Sequence, residues 1–182
     1  MSWGLHRDDV KRIVILALAG FIAVLLQVTL LAHLPFGSLK PDLVLIVVLY
    51  AGVFLPPTEG GVLSFGLGYV ADLFTGRLIG LFTFMRVSAW LVARLASGML
   101  NLKSIPALTI FVAIYSVMDY FVMAAILRVF GGGEYPVPAA GSAIWKTALM
   151  NAAAAPLVIG ALLRLERRFS TDAEHRSLEL LR

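Results

Sequence analysis

Residues 13–32 read IVILALAGFIAVLLQVTLLA, a run without a single formal charge. About 20 apolar residues is the length of α-helix that crosses the hydrocarbon core of a bilayer. The apolar region of a signal peptide is shorter, ~7–15 residues, and leads to a small-residue cleavage site. Here His33-Leu34-Pro35-Phe36 follows, and Arg7, Lys11 and Arg12 precede. The run is therefore expected to be an uncleaved first membrane helix.

The rest of the chain supports that reading. Of 182 residues, 60% are hydrophobic and 14% charged, and the mean hydropathy is +0.91. Soluble domains run at ~45–50% apolar and ~25% charged, and a soluble fold of this size has no core large enough for the excess. The expected fold class is all-α: a polytopic membrane helical bundle with about six transmembrane helices. The net charge of +4 comes from basic residues at the ends of apolar runs, a placement that sets topology and does not point to nucleic acid.

Working outward, helix 2 is expected over 41–55, ended by Pro56-Pro57, and helix 3 over 60–74. Each is about 15 residues, or ~22 Å, short of a ~30 Å core. They either thin the bilayer, are shielded by other helices, or form a re-entrant pair. Helix 4 is expected over 79–100, helix 5 over 105–130 and helix 6 over 142–165, with one substantial loop at 131–141. This divides the chain into a basic N-terminus (1–12), a six-helix membrane domain (13–165) and a charged tail (166–182). An even number of spans puts both termini on one side. That side carries Arg7, Lys11, Arg12, Lys103, Arg164, Arg167, Arg168, Arg176 and Arg182, against Lys40 and Arg77 opposite, with Arg128 and Lys146 near helix ends there. The positive-inside rule makes it cytoplasmic.

Ionisable residues inside apolar spans cost at least ~2.5–3.5 kcal/mol at the bilayer centre, so they face partners. Asp72, Arg86, Asp119 and Lys146 are expected to form a polar cluster in the outer half, with Arg94 snorkelling to the inner surface. The cluster could be a helix-to-helix bridge, a partner contact or an ion site. Gly60, Ser64, Gly68, Asp72, Gly76 and Gly80 recur at spacing four. That keeps small residues on one helical face, where another helix can approach closely. The last two glycines are placed at the turn. Ala148, Ala152, Pro156 and Gly160 repeat the spacing in helix 6.

Several chemistries lack their residues. There is no cysteine, and His6, His33 and His175 are scattered without metal-ligand spacing. No phosphate-binding glycine loop and no nucleophile elbow occur. The chain is expected to be no enzyme, with no cofactor and no bound metal.

With Asp72 and its glycines placed, the stretch from Lys40-Pro41-Asp42-Leu43 through Gly60-Gly61-Val62-Leu63-Ser64-Phe65-Gly66-Leu67-Gly68-Tyr69-Val70-Ala71-Asp72-Leu73-Phe74-Thr75-Gly76 to Leu78-Ile79-Gly80-Leu81 resembles the MreD family of rod shape-determining membrane proteins. The resemblance implies a non-catalytic scaffold of the cell-elongation complex in the bacterial inner membrane. Its partners would be an MreC-like single-span protein, RodA with a class B penicillin-binding transpeptidase, and indirectly the MreB filament. Gly68, Asp72, Gly76 and Gly80 would be its motif positions, fixing the corner between helices 3 and 4. It also implies a fold like the substrate-binding subunits of energy-coupling-factor transporters. A vitamin-type transporter subunit is the alternative function; it would need a deep pocket under a long loop.

Overall fold

The structure is a computed structural model that describes residues 7–33, 40–75, 79–130 and 142–179, with side chains at 12–29, 40–75, 79–130 and 144–168. Trp3, His6, the turn with Pro35, Gly37 and Ser38, Gly76, Arg77 and the 131–141 loop with Tyr135 lie outside the described residues. Six helices follow one another: α1 (Arg7–His33), α2 (Leu43–Phe54), α3 (Pro57–Thr75), α4 (Leu81–Met99), α5 (Ile105–Phe130) and α6 (Ser142–Glu179). No strand occurs among the described residues. Among the described residues, three helices are long and apolar enough to cross a membrane, through Arg12–Thr29, Ile105–Phe130 and Ile144–Arg168.

Helix α2 organises the bundle. It has 12 residues, about 18 Å of helix, and every residue from Val44 to Val53 is buried. A helix apolar on all sides belongs in an interior, and α2 touches all five others. Of the readings open for the two short helices, shielding by neighbours describes α2. It does not describe α3, whose Val62, Phe65, Tyr69 and Leu73 are exposed. Such an apolar outer surface, continued by Leu18, Phe21, Leu95, Ile114 and Leu157, is what a bilayer solvates.

Three boundaries differ from expectation by three residues or more. Helix α3 opens at Pro57, three residues early, because a first-turn proline has no intrahelical amide bond to lose; Gly60 N still donates to Pro56 O at 2.9 Å. Helix α1 opens at Arg7. Helix α6 continues to Glu179, through most of the segment expected as a tail. Near its membrane end, Arg12 Nε of α1 donates to Glu166 Oε1 of α6 at 2.9 Å. The start of the first helix therefore meets the last.

Small residues set the closest approaches. A β-carbon on Gly52 of α2 would lie 2.7 Å from Ala93 Cβ and 2.8 Å from Trp90 O of α4. On α3, Gly60, Ser64, Gly68 and Asp72 are all buried, and α4 packs along them. A β-carbon on Gly68 would lie 2.6 Å from Thr83 Cα. The helix 6 stripe is corrected. Its buried face runs through Ala148, Asn151, Ala155, Ile159 and Leu162, while Pro156 is exposed and a β-carbon at Gly160 would meet nothing. Spacing four advances about 40° per step around a helix of 3.6 residues per turn. A strict i+4 row leaves a face after a few steps unless a neighbour's ridge follows it.

Candidate functional site

Two polar constructions lie inside this apolar bundle, and α4 belongs to both. The first is at the corner between α3 and α4. The residue preceding α4 is Gly80, in the left-handed region with φ 96° and with no side chain to cap the helix. The first amides of α4 would be orphaned, as the leading N–H groups of any helix are. Asp72, at the end of α3 and 3% exposed, supplies the cap from ten residues upstream. Its Oδ1 accepts from Phe82 N at 2.8 Å. Its Oδ2 accepts from Thr83 N at 3.0 Å and from Thr83 Oγ1 at 2.6 Å. A carboxylate at a helix N-terminus is also favoured by the helix dipole. The acid and the glycine seam are thus one device: Gly68 lets the backbone of α4 touch α3, and Asp72 ties that backbone down.

The second construction surrounds the buried N-terminus of α2. Asp42 caps it, with Oδ1 accepting from Leu45 N at 2.8 Å and from Gln27 Nε2 of α1 at 3.3 Å. Gln27 Oε1 accepts from Val44 N at 3.0 Å. Asn151 Oδ1 of α6 accepts from Asp42 N at 2.6 Å, and Asn151 Nδ2 donates to Ser116 Oγ of α5 at 2.8 Å. From α4, Arg86 Nη2 donates to Asp42 Oδ2 at 2.8 Å and lies 3.6 Å from Asp119 Oδ2 of α5. Five helices therefore meet at one helix end. In hydrocarbon every backbone polar group needs an internal partner, and a helix that ends inside the bundle obtains them from its neighbours. Arg94 of α4 closes the other end, donating to Leu55 O at 3.3 Å.

The expected four-residue cluster is therefore revised. Arg86 and Asp119 come together. Asp72 is engaged at the α4 cap, because backbone amides at an uncapped helix start bind a carboxylate as well as a cation does. Lys146 is exposed on α6, one turn or so from that helix's start, where a long side chain can leave the apolar layer. Of the small-residue positions, Gly60, Ser64 and Gly68 line the α3–α4 contact, Gly80 shapes the turn, and Gly76 lies outside the described residues. Asp42, Gln27, Ser116 and Asn151 were not anticipated as site residues.

A cavity of about 420 Å³ adjoins this second network, lined by Gln27, Asp42, Thr75 and Arg86 together with apolar side chains of α1 to α4. Among the described residues no group of three or more potential metal ligands occurs.

No curated protein and no solved structure matches the chain, so the expected likeness in fold to the substrate-binding subunits of energy-coupling-factor transporters is without support. The family described as rod shape-determining protein MreD matches residues 8–165, nearly the whole chain. With its all-helical bundle, its membrane-length helices and its acid-and-glycine corner, this chain belongs to the MreD family of rod shape-determining membrane proteins.

Proposed function

We propose that the chain is a non-catalytic scaffold of the cell-elongation complex. It would sit in the bacterial inner membrane with all six helices in the membrane domain and both termini cytoplasmic. It would couple an MreC-like single-span protein, and through it the MreB filament, to RodA and a class B penicillin-binding transpeptidase. The match to the family over residues 8–165 carries this reading. Supporting it, the outer surface of the bundle carries large apolar side chains, among them Leu18, Phe21, Phe65, Leu95, Ile114 and Leu157, so partners would dock through helices in lipid, where close packing and polar contacts drive association. Contact between Arg12 and Glu166 agrees with an even number of crossings, and the basic bias selects the cytoplasm.

The α3–α4 corner is the part most exposed to test. Asp72→Leu removes the cap of α4, and Asp72→Asn keeps one oxygen acceptor. With both variants at wild-type abundance in the membrane, detergent co-purification should recover the MreC-like partner poorly with Asp72→Leu and at an intermediate level with Asp72→Asn. Cells relying on Asp72→Leu should round. Full partner recovery and normal rods with Asp72→Leu would refute the role given to this corner.

A further inference from the structure

Helices α1 and α3 touch where Leu67 covers Gly20; a β-carbon there would lie within 2.7 Å of both Leu67 methyls. Beyond that contact they enclose the 420 Å³ cavity. Its walls are Val24, Gln27 and Val28 on one side and Ala71, Phe74 and Thr75 on the other. These positions are four, seven and eight residues past Gly20 and past Leu67, the same face of each helix one and two turns on. Phe74 and Thr75 are exposed and Val28 is half-buried, so the cleft opens to the outside of the bundle.

Its inner end is polar. Arg86 lines it, is 2% exposed, and its Nη1 has no hydrogen-bond partner among the described residues. A guanidinium offers five N–H donors in a fixed fork, and a buried donor left unmet is costly. The positive charge is already set against Asp42 at 2.8 Å and Asp119 at 3.6 Å. What the site lacks is an acceptor, not a further anion. The volume falls within the ~300–1,000 Å³ of ligand pockets, which are largely apolar with a few placed polar groups.

We infer that this cleft binds one membrane glycerolipid without net charge, its ester carbonyl set toward the Arg86 guanidinium and an acyl chain lying between Val24, Val28, Ala71 and Phe74. The inference is independent of partner docking and would stand if the scaffold role failed. The test is native mass spectrometry of the full chain after exchange into lipid-free detergent and re-addition of phosphatidylethanolamine or phosphatidylglycerol. Wild type should hold one phosphatidylethanolamine, and phosphatidylglycerol should bind no better. Ala71→Phe, which fills the cleft from α3, and Val28→Phe, which fills it from α1, should each bind at least tenfold more weakly at unchanged helix content. Leu73→Phe, on the lipid face of α3, should bind as wild type does. The inference is overturned if wild type retains no lipid, if both filled variants bind normally, if Leu73→Phe loses as much as they do, or if phosphatidylglycerol is preferred tenfold.

Discussion

Gly68→Ala and Gly66→Ala make the same chemical change two residues apart on α3, and the structure assigns them opposite outcomes. Each removes a helix-interior glycine, which in a soluble host is worth roughly 0.5–1 kcal/mol of stability. Gly66 is exposed, and an added β-carbon meets nothing within 4 Å. Gly68 is buried, and the same carbon would lie 2.6 Å from Thr83 Cα, 2.9 Å from Phe82 O and 3.0 Å from Thr83 N. Overpacking typically costs ~1–3 kcal/mol. Here the obstructing atoms are backbone, and the two amides that could retreat are held by Asp72, so about 2–3 kcal/mol is expected, the upper part of that range. The propensity gain is common to both variants and cancels in their difference, which isolates the steric cost. For a chain of this length ~1 kcal/mol moves the unfolding midpoint by 2–4 °C, so Gly68→Ala should unfold roughly 4–12 °C below Gly66→Ala. Loss of helical circular dichroism on heating in one mild detergent measures it. Coincident unfolding of the two variants would refute the α3–α4 contact as described.

The polar network and the topology yield further tests. Arg86→Met leaves two carboxylates facing each other in an apolar interior, and removing one member of a buried pair costs ~3–5 kcal/mol. The double variant Arg86→Met/Asp119→Leu keeps Asp42 as the cap of α2 while removing the unmatched charge, so it should unfold at a higher temperature than Arg86→Met alone. Additive losses would mean that Arg86 and Asp119 are not coupled. A reporter fused after Arg182 should read cytoplasmic, and a periplasmic signal would require an odd number of crossings.

What the sequence made legible and what it hid follow from how each feature is built. The α3–α4 corner is local: its glycines, serine and acid lie on one helix at a spacing the eye can follow, and its target on α4 begins only ten residues beyond Asp72. The network at Asp42 is not local. It takes one residue each from α1, α2, α4 and α6 and two from α5, and nothing along the chain says which of them meet. Weak signs were present. Gln27 and Asn151 are lone amides within apolar runs, and a buried amide without a partner is costly. Asp42 sits directly before an apolar run, as a helix cap does. Read together, these marked side chains that needed partners and a helix end that could supply them. The expected cluster paired acids only with cations and so left out the strongest donors that carry no formal charge, the free amides at the starts of α2 and α4. Once those are counted, the allocation follows from demand. Asp72 goes to the uncapped start of α4, Asp42 to the buried start of α2, and Arg86, with its compensating carboxylates on α2 and α5, retains a donor nitrogen, Nη1, without a partner among the described residues.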